Sequence, residues 1–342
     1  MRSPSRACAT LGLALVAAVG CTDTGDDGSA ERPSPANVPS ATGTPRPSPS
    51  PSTAPPDPVS LPGLAAREHT GTDLRLGDVR VRDDAYTQYA VTYRANGLTI
   101  SGIMNIPTGD GPFPALVLAH GYIDPDEYTT GRGLAREQDR LARAGYVVLH
   151  TDYRNHAGSD DDPDNDLNLR LGYTEDVMGA VLALRSSARD EIDGDRIGLL
   201  GRSMGGGVVY NTLVAAPGLV DAAVVFAPVS ARPEENVEQF QRDDPAAAEV
   251  EAEHGTPERN PAFWREMSAL TYVDQVTEPL LIHHGTADET CPVRWSREVA
   301  EVFDRAGKDV ELRTYEGEGH TFYGQWPDSM ESTLKFFGDR LN

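Results

Sequence analysis

The eleven residues Leu199-Leu200-Gly201-Arg202-Ser203-Met204-Gly205-Gly206-Gly207-Val208-Val209 set the reading of the whole chain. The run leading into them, Arg196-Ile197-Gly198-Leu199-Leu200, reads as a short buried strand, and Val208 to Ala216 as a helix. Three successive glycines at the head of a helix cost roughly 1 kcal/mol each against alanine. A geometric need must explain them. Gly201-Arg202-Ser203-Met204-Gly205 fits G-x-S-x-G, in which a serine sits in a strained turn from strand to helix. Glycines there let backbones approach where any Cβ would clash. The helix N-terminus then directs free N–H groups at a developing negative charge. The pattern alone is weak, and its context must carry the assignment.

That context is regular. Apolar bursts recur at Ala115–Ala119, Tyr146–Leu149, Ile197–Leu200, Ala222–Phe226, Pro279–Ile282 and Val310–Thr314. They are continuous rather than alternating, as strands covered on both faces are. Helix-period stretches lie between them: Leu134–Ala144, Thr174–Ser186, Gly207–Ala216, Arg294–Ala306 and Ser329–Leu341. Strand–helix alternation predicts a mostly parallel twisted sheet with helices on both faces. Upstream, Tyr86–Arg94 and Leu98–Pro107 flank Asn96-Gly97, a hairpin signal. An antiparallel start followed by a parallel sheet is the layout of the α/β-hydrolase fold. One segment breaks the rhythm. Residues 229–275 carry acidic helix-like runs, Glu234–Gln241 and Ala246–Glu253, then Pro261-Ala262-Phe263-Trp264. So long a connection is expected to be a helical lid over a site rather than a bulky structural insertion.

A serine hydroxyl needs a base, and a histidine base needs an orienting acid. In this fold the chain order is serine, acid, histidine. Asp288 follows the fifth parallel strand in Ile282-His283-His284-Gly285-Thr286-Ala287-Asp288, and His320 follows the sixth in Glu316-Gly317-Glu318-Gly319-His320. Both fall just past strand C-termini, where sites collect in parallel sheets. His283 and His284 are rival bases, but they end a strand ahead of the acid and are expected to be structural. Asp274 is a rival acid better read as a turn or helix residue. Ala119-His120-Gly121-Tyr122 ends the first parallel strand. The backbone N–H of Tyr122 is the expected oxyanion donor there, with that of Met204 as its partner, and His120 is expected to brace the loop. Asp160-Asp161-Asp162-Pro163-Asp164-Asn165-Asp166 lacks the spacing of a Ca²⁺ loop and is read as a solvated acidic loop. Glu234-Glu235 has the charge to clamp an amine but is read as a solvated helix face. No metal and no organic cofactor is expected.

The chain has 342 residues and a formal net charge of −23, which argues against a nucleic-acid partner. Residues 1–20 read as a signal peptide: Arg2 and Arg6, then an apolar stretch, Leu11–Val19, too short to span a bilayer. Ala18-Val19-Gly20-Cys21 resembles the lipobox of bacterial lipoproteins, which implies diacylglycerol on Cys21 and export to the outer face of the cell membrane. With Cys8 in the leader and Cys21 lipidated, only Cys291 remains, so no internal disulfide is expected. Residues 21–73 are read as a disordered stalk, since ten of the 26 prolines fall between Arg32 and Ser60 and large apolar residues are few. Residues 74–342 have globular composition and a size normal for one α/β domain.

With these residues in hand, the stretch from Ala115 to Phe337 resembles the catalytic domain of the prolyl oligopeptidase family and its dienelactone-hydrolase-like relatives. The likeness is densest in His284-Gly285-Thr286-Ala287-Asp288-Glu289-Thr290-Cys291-Pro292-Val293 and from Gly307-Lys308-Asp309-Val310 to Gly319-His320. It implies peptide or ester hydrolysis of a small ester or short peptide, with Ser203, Asp288 and His320 matching nucleophile, acid and base. Two departures bear on substrate. The peptidases carry an N-terminal β-propeller, for which residues before Ala115 leave no room here, and they usually show Ser-Tyr-Gly-Gly where this chain has Ser203-Met204-Gly205-Gly206. A lipid-anchored binding protein on an inactive hydrolase scaffold is the alternative from another class.

Overall fold

A computed structural model describes residues 55–242 and 245–341. The expected signal peptide, Cys21 and most of the expected stalk lie outside the described residues. Helix α1 (Leu61–Ala65) comes first, then strands β1 (Gly71–Arg82), β2 (Tyr86–Ala95), β3 (Leu98–Pro107) and β4 (Phe113–Ala119). Next are α2 (Ala135–Arg143), β5 (Val147–Thr151), α3 (Leu171–Arg185), β6 (Ile192–Arg202), α4 (Met204–Ala215) and β7 (Ala222–Phe226). The remainder is α5 (Pro233–Phe240), α6 (Pro245–His254), α7 (Pro261–Glu266), a 3-10 helix (Ala269–Gln275), β8 (Leu280–Gly285), α8 (Val293–Arg305), β9 (Val310–Tyr315) and α9 (Trp326–Leu341).

Among the described residues the nine strands form one sheet in the order β1-β2-β3-β5-β4-β6-β7-β8-β9. β1, β2, β3 and β5 pair antiparallel, and every pair from β5 onward through β4 to β9 is parallel. The α/β-hydrolase layout read from the sequence is therefore the observed one. Alternate residues of β4 divide the core. Ala115, Val117 and Ala119 pack in one buried cluster with residues of α1, α3, α4 and α8, and Leu116 and Leu118 in another with residues of α2 and α9. Complete burial of both sets stabilises the sheet by about 1.5–3 kcal/mol per large aliphatic side chain. It also explains why β4 to β8 read as apolar runs, whereas β9, expected to be covered on both faces, is a largely exposed edge strand with Glu311 and Arg313 toward water. The strand order reverses at β4, since β5 lies on one side of it and β6 on the other. Loops leaving the C-terminal ends of those strands diverge and leave a crevice, the usual position of a site in such sheets.

The fold begins earlier than composition suggested. Ser60, Leu61 and Leu64 are buried, and Gly63 N donates to the Ser60 hydroxyl in an N-cap. Residues 60–73, expected as the end of the stalk, therefore belong to the folded body. β1 was also unforeseen. Its ten residues from Asp73 to Arg82 are exposed or only partly buried, so Arg75, Asp78, Arg80 and Arg82 give no apolar signal. Such charges suit an edge strand, where they discourage pairing with another chain. Residues 229–275 form the expected helical insertion, α5 to α7 and the 3-10 helix.

Candidate active site

Ser203 lies between the last residue of β6 and the first of α4, at φ 56° and ψ −120°. A non-glycine residue reaches that conformation only when its surroundings over-determine it. Here they do. Ser203 N donates to Phe226 O at 3.0 Å, and Ser203 O accepts from Gly206 N at 2.9 Å and Val229 N at 3.1 Å. The glycines are a steric requirement, as the sequence implied. A Cβ on Gly201 would lie 2.3 Å from Gly205 O, and one on Gly205 would lie 2.0 Å from Ala119 O. The loop after β4 runs directly against the serine, for a Cβ on Gly121 would sit 3.1 Å from Ser203 Cβ.

Asp288 and His320 come together from loops after β8 and β9. His320 Nδ1 lies 2.8 Å from Asp288 Oδ2. The other oxygen, Oδ1, accepts from Thr290 N at 2.9 Å and Cys291 N at 2.8 Å, which fixes the carboxylate plane. The Asp288 side chain is fully buried. Burial opposes its charge, but His284, His320 and the Cys291 N–H more than offset this and hold the carboxyl well below the usual range. It is ionised at neutral pH. The His320 ring keeps 20% of its side-chain surface exposed and reaches the cavity that Ser203 also lines.

That cavity is about 490 Å³. Tyr122 and Met204 stand on its wall, and Val229, Val237 and Phe240 of the insertion close another side. Met204 opens α4, where an amide has no acceptor within its own helix. Arg170 is ion-paired with Asp166 at 2.7 Å, and its guanidinium lies 4.6 Å from the centre of the Tyr122 ring. Glu234 and Glu235 do not line the cavity, and Glu235 is engaged with the Ser230 hydroxyl. The acidic loop is occupied internally. Asp160 accepts from Thr99 N at 2.7 Å, and Asp162 from Arg154 at 2.9 Å.

The rival residues hold other posts. His283 is buried between Tyr315 Oη at 2.8 Å and Thr333 Oγ1 at 3.0 Å. Asp274 is exposed on the 3-10 helix, and its carbonyl accepts from Lys308. His120 is fully buried, and burial lowers its pKa to about 3. A neutral imidazole carries one N–H, so the shorter contact, Nδ1 to Gly121 O at 2.6 Å, takes it and braces the loop before Tyr122.

Two neighbours stand closer to the site than the sequence reading had them, His284 as a structural rival base and Cys291 as the remaining cysteine. His284 does more than end a strand: its Nε2 lies 3.3 Å from Asp288 Oδ2 and 2.8 Å from Cys291 O, while Nδ1 meets Ser296 Oγ at 2.6 Å. Cys291 is a buried free thiol three residues after Asp288. Burial, then the Asp288 charge, push that thiol up to about 12, against the opposing pull of Ser203. It stays protonated beside the serine and does not compete as a nucleophile. Neither had a signal in the sequence beyond its place near Asp288.

Comparison with known proteins agrees with this layout. The family model described as the prolyl oligopeptidase family matches residues 134–342, more than half of the chain. An uncharacterized peptidase, YtmA of Bacillus subtilis, is 24% identical over 234 residues, 68% of this chain and 86% of its own. Esterase EstD of Thermotoga maritima is 31% identical over 182 residues, 52% of this chain and 41% of its own length. A bis(hydroxyethyl) terephthalate hydrolase of Streptomyces coelicolor is 31% identical over 166 residues, 48% of each chain. This chain thus spans most of the first relative and less than half of the other two. Among solved structures, the acylaminoacyl peptidase of Pyrococcus horikoshii superposes with a TM-score of 0.60 at 21% identity, covering 77% of this chain and 42% of its own. Acetyl xylan esterase 1 of Thermoanaerobacterium gives 0.58 at 18% identity, covering 78% and 89%. The fold is common to peptidases and esterases alike, and the match from Leu134 to the last residue makes this chain a member of the prolyl oligopeptidase family of α/β-hydrolases.

Proposed function

We propose that the protein is an exported serine hydrolase that cleaves esters of small substrates through an acyl-enzyme. The observation that carries the reading is the 2.8 Å contact of His320 Nδ1 with the buried, ionised Asp288, beside a cavity lined by both His320 and Ser203. In this reading Asp288 holds the imidazole with Nδ1 protonated, so Nε2 is free to take the Ser203 proton. Ser203 Oγ then attacks the carbonyl carbon, and the carbonyl oxygen gains the charge. The N–H groups of Tyr122 and Met204 receive that oxyanion, Met204 with the dipole of α4 behind it. His320 returns its proton to the leaving alcohol as the carbon–oxygen bond breaks. Water, deprotonated by the same imidazole, releases the acid and restores Ser203.

Esters are favoured by the cavity's charges. Among the described residues the one acidic residue lining the cavity, Asp166, is already paired with Arg170, so none of them offers a free carboxylate for the ammonium group of a peptide. Family membership favours a second reading, amide cleavage. A panel of p-nitrophenyl esters set against aminoacyl and prolyl p-nitroanilides separates the two. Turnover of the esters alone is expected, and efficient anilide turnover would replace the ester reading with the peptidase one.

Placement outside the cell rests on the leader and the lipobox-like Ala18-Val19-Gly20-Cys21. Among the described residues no helix is long and apolar enough to cross a membrane. In this reading acyl chains on Cys21 anchor the protein, at roughly 0.8 kcal/mol per buried CH₂. Incorporation of an alkyne-tagged fatty acid, lost in Cys21→Ala, is the expected result. Equal labelling of both forms would remove the anchor.

A further inference from the structure

The residue inside the G-x-S-x-G pattern that plays no part in the chemistry above is Arg202. It is the last residue of β6, directly before Ser203, and its side chain is only 9% exposed. Its Nη2 lies 2.6 Å from Oε1 of Glu137, a carboxylate 2% exposed in the first turn of α2. The same oxygen accepts from the Trp326 indole at the head of α9, at 2.9 Å. The other end of the guanidinium faces the histidine loop: Nη1 donates to His320 O and Thr321 O, at 3.4 Å each. Arg136, next to Glu137, completes the grip with Nη2 on Thr321 O at 2.8 Å and Nη1 on Phe322 O at 3.0 Å. Three consecutive carbonyls, those of 320, 321 and 322, thus rest on two guanidinium groups. Phe322 itself is fully buried at φ 53°, which holds the far end of the turn.

We propose that Arg202 and Arg136, oriented by Glu137, form a clamp that positions His320 for catalysis. The clamp rests on the reading of His320 as the base. Its logic is mechanical. A base on a loop is placed only as well as the loop's backbone, and one ångström of displacement costs on the order of a hundredfold in rate. Arg202 ties that backbone to the residue before the nucleophile, so serine and imidazole are set from one strand end. A buried Arg–Glu pair is weak evidence for stability, since a well-packed apolar pair commonly does as well. Precise placement of another group accounts for it better. The charged groups that meet this loop are Asp288 on the His320 ring, Arg202 on the His320 and Thr321 carbonyls and Arg136 on those of Thr321 and Phe322, with Glu318 on the loop itself. The Glu318 carboxylate is spent on Tyr323 N and Gln325 N.

The test compares the full-length protein with Arg202→Met/Glu137→Met, Arg136→Met and Glu137→Gln, using a chromogenic ester and a fluorophosphonate probe. The double variant removes the buried pair as a unit and is expected to keep its melting temperature within a few degrees. Its kcat is expected to fall about ten- to a hundredfold with KM within about threefold, the mark of a misplaced base. Arg136→Met and Glu137→Gln each remove one part of the grip and are expected to lower kcat about three- to tenfold with KM within about threefold. Native kcat in a folded double variant, or a loss carried by KM rather than kcat, would overturn the clamp. Absence of probe labelling in the unaltered protein is a separate result, and it would overturn the hydrolase reading instead.

Discussion

Two acidic segments at the C-terminal edge of the sheet make opposite use of their carboxylates. Residues 160–166 hold five aspartates, and those at 160, 162 and 166 are bound to the protein's own amides and guanidinium groups. The loop after β8 offers Asp288, buried, with Oδ1 tied to two backbone amides and Oδ2 shared by two imidazoles. The first loop has more charge, and its aspartates at 161, 164 and 166 are exposed to water. The second holds the Asp288 charge where water cannot screen it. Burial with a fixed set of donors, rather than the number of charges, makes a carboxylate able to direct a base.

The contrast is most easily broken at Asp288. Asp288→Asn is expected to lower kcat by about 10⁴-fold, because the amide favours the wrong imidazole tautomer while leaving the fold intact. Steady-state kinetics with a saturating ester checks it. A drop of less than tenfold would put Asp288 on the same footing as the acidic loop.

Histidines repeat the contrast. His120, His150 and His283 are fully buried, and burial lowers each pKa to about 3, whereas His320 stands at the cavity. Between pH 3 and 6.5 the unfolded chain binds protons that the folded chain refuses. The stability these three contribute is therefore complete above about pH 6.5 and is lost as pH falls toward 3. The loss amounts to several kcal/mol at most per histidine, roughly 1.4 kcal/mol for each pH unit crossed. Urea midpoints at pH 7.5, 6 and 5 should fall steadily. A flat profile would mean that these imidazoles accept protons in place.

Asp162→Ala sharpens the comparison from the other side. It removes a partner of the nearly buried Arg154 and should cost about 1–3 kcal/mol, seen as a lower melting temperature with kcat unchanged. Smallest of all is Asp274→Asn on the exposed 3-10 helix, expected to stay within about 0.5 kcal/mol in stability and to leave kcat unchanged.

Much of this was legible in the sequence because two signals were strong. Fully covered strands leave unbroken apolar runs, so β4 to β8 were readable, and the glycines around Ser203 announced the turn. Long-range order then suggested Asp288 and His320. What failed to show had physical reasons. β1 is an edge strand whose Arg and Asp residues face water, so it carries no apolar code. α1 depends on Leu61 and Leu64 docking against the rest of the fold, which five residues in a proline-rich segment do not advertise. α9 begins at Trp326, three residues before the periodicity suggested, and its indole meets Glu137 across the sheet edge. Contacts such as Arg202 to Glu137, or Asp288 to His320, join residues far apart in the chain and exist only once the sheet has formed.

One measurement bears most directly on the claim that Ser203 is an alcohol made reactive by His320 and Asp288. The protein is treated with a fluorophosphonate and digested, and the adduct is located by mass spectrometry, with Ser203→Ala and His320→Ala in parallel. A single adduct on Ser203, absent in the first variant and formed far more slowly in the second, is the predicted result. An unmodified Ser203, or labelling at an unchanged rate without the imidazole, would contradict it.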